Sequence, residues 1–331
     1  MRFCLVGAGF IGPVHAANIA AHPQAELRWV VDLDAQAAAQ TASRHGARAT
    51  QRLDEALADP AVDAVVVCTP PRSHAAVIEA AARAGKAIFC EKPIDLDLAR
   101  VEACGEVLRR SGVPFFVGFN RRFDPTHAAL RAAIAAGRIG RPEMLVISSR
   151  DPEIAPPDYV AAMPFGIFYD TMIHDFDIAR WLTGREAVEV YARTATMLDA
   201  AVNPVRDPDT AMVVLTMDDG TLVHVNSSFR AVYGYDQRIE VFGAAGMLMS
   251  ENQQPTSLRR FDASGIHADP LQHFFVQRYA ASYAAELDHF VRAVGARTPP
   301  AIGFEDGRRA LAIAYAAMES ARSGAPMRIP A

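Results

Sequence analysis

Long apolar runs, paired cysteines and an excess of basic charge are all missing from this chain of 331 residues. No uninterrupted apolar stretch reaches the about 18 residues that cross a bilayer. The opening, Met1 to Gly12, is a short apolar run ending in glycines, without the hydrophobic core or small-residue cleavage site of a secretory leader. Neither a membrane protein nor an exported one is expected. The four cysteines, Cys4, Cys68, Cys90 and Cys104, form no C-x-x-C pair. Three of them sit in or beside strand-like apolar runs, where reduced cysteine acts as a small hydrophobe, and a cytoplasmic location suits that. The formal net charge is -5, so no broad positive field exists to hold a nucleic-acid backbone or an anionic membrane. Internal repeats and low-complexity tracts are absent. What remains, 51% hydrophobic and 21% charged residues, is the composition of a globular protein with room for about two domains.

Through residue 119 the chain alternates short apolar runs with helix-compatible stretches. Phe3 to Val6, Leu27 to Val31, Ala64 to Cys68, Ala87 to Cys90 and Phe115 to Val117 read as strands. Ile11 to Ala21, Ala35 to His45, His74 to Ala84 and Leu98 to Arg110 read as helices. Unmixed runs such as Ala64 to Cys68 are the pattern of parallel strands covered on both faces, and the alternation predicts an α/β domain built from βαβ units. From 120 to 331 the pattern changes. Phe123 to Gly137 and Phe168 to Leu182 read as helices, and the proline-rich stretch 151–164 as a loop. Met144 to Ser148, Met212 to Met217, Thr221 to Phe229, Arg238 to Phe242 and Met247 to Met249 read as strands. A hairpin signal, Asp218-Asp219-Gly220, joins two of them. Helices at about Tyr279 to Val294 and Glu305 to Ser323 close the chain. Strands joined by short turns predict an α+β second domain with a mostly antiparallel sheet.

Gly7-Ala8-Gly9-Phe10-Ile11-Gly12 fits G-x-G-x-x-G, follows a strand and opens a helix. In that context the first glycine permits the tight turn, the second lets the backbone approach a pyrophosphate, and the third lets helix and strand pack closely. The helix N-terminus then offers free N–H groups to the phosphates. Asp32 ends the second strand twenty positions after Gly12, where an acid hydrogen-bonds the adenosine ribose. Asp34 is close and the next basic residue is Arg44, so a 2′-phosphate would meet negative charge, and NAD is expected over NADP. The structural alternative for Asp32 is a helix N-cap shared with Asp34.

Glu91-Lys92-Pro93 directly follows the strand Ala87 to Cys90, and ligands of open α/β sheets gather beyond the carboxyl ends of strands. A lysine there can donate a hydrogen bond to a substrate oxygen, although Glu-Lys-Pro alone also suits a solvated loop. Asp170 and His174 are four apart, with Asp177 three beyond, so on a helix all three share one face. Their neighbours are largely apolar, and a buried carboxylate or imidazole is costly unless paired. Histidine titrates near neutrality and suits proton transfer. An ordinary core histidine satisfied by Asp170 fits the same spacing.

The glycine motif at Gly7, the acid at Asp32, Glu91-Lys92-Pro93 and D-x-x-x-H-x-x-D from Asp170 stand in the order found in the Gfo/Idh/MocA oxidoreductases, which the sequence resembles over nearly its whole length. Gly118 to Asp124, Asp170 to Trp181 and Tyr233 to Arg238 resemble the family's members that oxidise inositols. The resemblance implies a Rossmann domain at 1–119 and, at 120–331, a substrate-binding α+β domain whose large open sheet often mediates homodimers or homotetramers. It implies NAD-dependent oxidation of a ring secondary alcohol of a polyol, myo-inositol foremost, with Lys92, Asp170 and His174 catalytic. Cofactor contacts are expected from Gly7, Gly9, Phe10, Ile11, Gly12 and Asp32, and further on from Thr69, His74, Glu91 and Lys92. Substrate contacts are expected from Asn120, Arg121, Asp151 and Tyr235, besides Asp170 and His174. Asp151 departs from the amide carried by some relatives, which bears on which hydroxyls are preferred. Arg121 and Arg122 suit salt bridges equally well, and Tyr235 suits packing in the sheet. No metal site is expected. Other substrates within the family, another inositol isomer or an aldose, stay open. So do a tightly held, internally recycled cofactor and a dinucleotide-binding regulator without turnover.

Overall fold

A computed structural model describes residues 1–330. Their contacts divide the chain into two units, the first formed by Met1–Asn120 with Ser282–Leu311, the second by Arg121–Ala281 with the residues from Ala312 onward.

The first unit is built on six strands, β1 (Arg2–Val6), β2 (Glu26–Val31), β3 (Arg48–Thr50), β4 (Ala64–Val67), β5 (Ala87–Glu91) and β6 (Phe115–Gly118). They pair in parallel in the order β3-β2-β1-β4-β5-β6. This is the doubly wound order, with its topological switch between β1 and β4. The unmixed apolar runs explain the centre: β4 and β5 are buried at every residue, as strands covered on both faces must be. Two short pieces went unread in the sequence, β3 and the helix Leu53–Ala58. Each is too brief to show a hydrophobic period.

The larger departure is the return of Ser282–Leu311 to this unit. The sequence pattern assigns everything after residue 119 to the second domain. The helix Ala280–Gly295 instead sets Phe290 against Phe3, Phe89 and Phe116, with ring centroids 6.2, 5.7 and 6.1 Å away. A helix's apolar stripe shows that it is covered, not by which sheet.

The second unit carries a seven-stranded sheet. Its strands are β7 (Pro142–Arg150), β8 (Ala187–Ala195), β9 (Thr210–Met217), β10 (Leu222–Ser228), β11 (Asp236–Gly243) and β12 (Gly246–Ser250), with a separate exposed hairpin of β13 (Arg259–Asp262) and β14 (Gly265–Ala268), and finally β15 (Met327–Arg328). The order is β12-β11-β7-β10-β9-β8-β15. Only the β7–β10 pair is parallel among the described residues, so the sheet is mostly antiparallel. Along its strands Leu145, Val213, Val223 and Val241 are buried, while Met144, Val214, Leu222 and Phe242 are exposed. One face is core and the other is open.

Two sequence-based expectations change here. The stretch 151–164 contains a short helix, Pro157–Ala162, begun by a proline whose missing N–H costs nothing in a first turn. The helix expected over Phe168 to Leu182 is two pieces, a π-helical segment Ile167–Met172 and an α-helix Ile173–Thr183 ending at Gly184. No helix among the described residues is long and apolar enough to cross a membrane, and all four cysteines are buried and unpaired.

Candidate active site

The glycine-rich turn lies after β1, beside the switch point. Gly7 has φ +100°, and a Cβ there would meet the Cys68 carbonyl carbon at 2.5 Å. A Cβ at Gly12 would meet the Gly7 oxygen at 2.2 Å, so this residue lets the helix lie against the strand. At Gly9 a Cβ would meet nothing within 4 Å; this is the backbone that a phosphate can approach. The helix Gly12–Ala21 has Ile11 as N-cap, no side-chain cap, a proline in its first turn and no acidic residue there. Its N-terminal N–H groups and dipole are therefore uncompensated and suited to an anion. Phe10 is 69% exposed beside them.

Asp32 accepts from the Ala8 N–H at 2.6 Å and from the Asp34 N–H at 2.8 Å. The N-cap of the helix Ala35–Arg44 is Asp34, which accepts from Gln36 and Ala37. The capping alternative for Asp32 is thus taken by its neighbour. Asp32 ties the end of β2 to the glycine turn, and a carboxylate has lone pairs to spare for a ribose hydroxyl. The Thr69 hydroxyl oxygen, just beyond β4, is buried without a hydrogen-bond partner. Together the open Gly9 face, the uncapped helix and the orphaned Thr69 hydroxyl fit a dinucleotide.

Two residues expected to contact the cofactor are occupied otherwise. The His74 ring nitrogens face the Pro93 and Thr69 carbonyl oxygens at 2.7 and 2.6 Å, and burial lowers the imidazole's pKa. It braces the loop after β4 to the turn after β5. Glu91 turns inward, its carboxylate 2.7 Å from His15 Nε2. Lys92 follows it, half-buried, with a cis bond to Pro93.

In the second unit, Asp170 and His174 stand out by exposure. Across Ile167–Arg180 every other residue is buried, and these two reach the surface in part. Asp170 belongs to the π-helical segment, a geometry frequent at functional sites, and its Oδ2 accepts from the Tyr159 hydroxyl at 3.0 Å. Nothing in the sequence singles out Tyr159, which lies in the proline-rich stretch 151–164.

Asp177, the last residue of that spacing, is buried and bound by two Arg122 nitrogens, Nε at 2.8 Å and Nη2 at 2.5 Å. It is structural. Arg121 likewise takes its salt-bridge alternative. It is 4% exposed, donates to Asp175 at 2.5 Å and to Ser149 at 3.4 Å, and reaches the Tyr235 hydroxyl at 3.3 Å. Burial pushes the Asp175 carboxyl up to about 6, with Arg121 limiting the rise. Removing one partner of such a pair strands a buried charge at a cost of about 3–5 kcal/mol. Arg121 and Tyr235 are therefore held for the fold of the site, and Asp175, adjacent to His174, is the partner that spacing alone did not single out. Asp151 follows β7, its backbone N–H donating to Ser228 and its carbonyl accepting from Ala231. Asn120, at the end of the first unit, is 2% exposed and its Nδ2 has no partner. A separate cleft of about 460 Å³, walled by Pro152, Pro157, Leu198, Phe229 and Arg230 among others, includes neither Asp170 nor His174.

Known proteins similar to this chain share its fold. Residues 1–119 match the oxidoreductase family with the NAD-binding Rossmann fold, and residues 127–249 match the GFO/IDH/MocA C-terminal domain. The chain is 46% identical to an inositol 2-dehydrogenase of Rhizobium meliloti over 97% of this chain and 96% of that one. A solved myo-inositol dehydrogenase from Corynebacterium glutamicum is 41% identical, with a TM-score of 0.94, covering 100% of this chain and 99% of that one. The myo-inositol dehydrogenase of Lactobacillus casei, solved with NAD(H) and myo-inositol, superposes with a TM-score of 0.92 at 26% identity, over 100% of this chain and 97% of that one.

Proposed function

The chain belongs to the GFO/IDH/MocA family of oxidoreductases, and from that premise we propose that it is an NAD-dependent dehydrogenase oxidising a ring secondary alcohol of a cyclitol, myo-inositol to its 2-keto product. Bound NAD supplies the hydride acceptor. The glycine turn and the uncapped helix hold its pyrophosphate, Asp32 its ribose, and Thr69 donates a further contact. His74 acts by fixing Thr69 and the Lys92–Pro93 turn. His174 takes the hydroxyl proton of the substrate as general base. Lys92 stabilises the oxygen as negative charge develops. Asp170, steadied by Tyr159, orients the imidazole and supports its protonated form. Asn120 and Asp151 contact the other hydroxyls, and Arg121 and Tyr235 keep the neighbouring backbone in place.

The observation that carries the chemical reading is the exposure pattern: in a run of otherwise buried residues, the two that reach the surface are a carboxylate and an imidazole. The deciding measurement is NADH formation across myo-, scyllo- and chiro-inositol, glucose and xylose. Myo-inositol should be turned over fastest. Failure of every inositol would end the cyclitol reading, and failure of every polyol the dehydrogenase reading.

Two finer points belong to the same proposal. The protein works in the cytoplasm, in keeping with buried, unpaired cysteines. It assembles as a homo-oligomer, dimer or tetramer, through the open face of the seven-stranded sheet.

A further inference from the structure

Three ionisable side chains from three separate elements meet in the core of the first unit: His15 of the helix Gly12–Ala21, Glu91 at the end of β5, and Glu286 of the helix Ala280–Gly295. One ligand atom from each lies within 4.8 Å of the others. His15 and Glu286 have no solvent exposure and Glu91 has 7%. His15 Nε2 and Glu91 Oε1 are 2.7 Å apart, while His15 Nδ1 and both Glu286 oxygens have no hydrogen-bond partner. The imidazole is held edge-on against the rings of Phe89 and Tyr283, with centroids 5.1 and 5.8 Å away.

A buried carboxylate must be paired, protonated or bound to a cation. If His15 and Glu91 form an ion pair, that pair is self-neutral and Glu286 is left over. If His15 is neutral, two like charges face each other. A proton on Glu286 is the alternative way to remove its charge. One divalent cation instead answers both carboxylates at once, ligated by His15 Nε2, the ring nitrogen that faces Glu91, and the site becomes neutral. The nitrogen donor favours a first-row transition ion over magnesium or calcium, whose ligands are oxygen.

We propose that His15, Glu91 and Glu286 form a divalent transition-metal site, with Zn²⁺ as the principal occupant, clipping the returning helix Ala280–Gly295 to β5 and to the N-terminal helix. The site is independent of the dehydrogenase reading, since none of its atoms need touch substrate.

The test uses the full chain, stripped with a chelator, desalted, incubated with ZnCl₂ and passed over gel filtration before elemental analysis and thermal melting. The wild type should retain about one Zn²⁺ per chain and melt higher with the ion than without, because binding to the folded state alone raises its stability. Glu286→Gln should retain about ten-fold less and show no shift with Zn²⁺. His15→Asn, a second variant should the first not fold, should behave likewise. A wild type without stoichiometric zinc would overturn the proposal, leaving a proton as the neutralising species. So would undiminished zinc retention in either variant.

Discussion

His174 and Lys92 are assigned different parts of one reaction, so their removal separates in the kinetics. Loss of a general base costs about 10²–10⁴-fold in rate, and loss of one oxyanion-stabilising donor about 10²–10³-fold. His174→Ala and Lys92→Ala should each lower kcat within those ranges while NAD still binds, as read by steady-state turnover and cofactor titration. Near-normal turnover in either would take that residue out of the mechanism. Asp32 already accepts two backbone N–H groups, so its remaining lone pairs and its charge are what a ribose or a 2′-phosphate meets. Asp32→Ala should weaken NAD and reduce the NAD-over-NADP preference in kcat/KM by about ten-fold, a difference of about 1.4 kcal/mol. A wild type that prefers NADP would contradict the role. His127 carries a pH signature. Burial pushes its imidazole down to about 4, with Asp124 opposing the shift and Arg278 and Arg121 adding to it. Its unfolded value is about 6.5, so in the interval between, the unfolded chain binds the proton first. The stability it contributes is complete above about 6.5 and is lost as pH falls toward 4, on the order of 3 kcal/mol. Asp175, raised to about 6, acts with the opposite sign over much of that window, because lowering the pH returns its proton. Urea melts of wild type against His127→Asn therefore isolate the histidine: the wild type's advantage should shrink between pH 7 and 4. A constant difference would mean that His127 is not held neutral.

At the scale of elements, the helix Ala280–Gly295 tests whether the return to the first unit matters. Phe290 is fully buried among Phe3, Phe89 and Phe116, and Phe290→Ala should cost about 3–5 kcal/mol in an equilibrium melt. A loss under about 1 kcal/mol, the mark of a surface change, would mean this helix is not part of that core. The parallel sheet was legible because each central strand is an unmixed apolar run set off by glycine or proline, and the glycine turn because its spacing is tied to a strand before and a helix after. Lys92, Asp170 and His174 stand out through the family resemblance, since their own spacing suits a solvated loop and a core histidine equally well. The direction a polar side chain takes was not legible. Glu91, His74, Arg121 and Tyr235 are polar residues in the right stretches, yet each is spent on an internal partner brought close only by folding, such as His15, separated from Glu91 by 76 residues, or Asp175, separated from Arg121 by 54. The π-helical segment was hidden for a related reason. One additional residue in a turn leaves the apolar pattern of Ile167–Thr183 almost unchanged.

At the scale of the whole molecule, the proposed assembly rests on the open face of the seven-stranded sheet. Pairing places Leu222 beside Met144, Met144 beside Phe242, and Phe242 beside Met247, one continuous row across four strands. These four are 45–50% exposed, and Val214 and Met212 on β9 are exposed as well. Scattered apolar residues on a surface need no explanation, but a contiguous apolar row on a flat sheet marks an interaction site. A second copy offers the simplest cover, since a two-fold axis through the face brings the same patch to itself. In that arrangement any single substitution enters the interface twice. Phe242→Glu would then bury two carboxylates without partners, a penalty large against a typical association energy. Light scattering after gel filtration should find the wild type at two or four times its 35.8 kDa chain mass, and Phe242→Glu should fall toward one chain with its far-ultraviolet circular dichroism intact. A wild type that elutes as a single chain at micromolar concentration, or a Phe242→Glu protein whose mass is unchanged, would show that this face is covered by something other than a second copy.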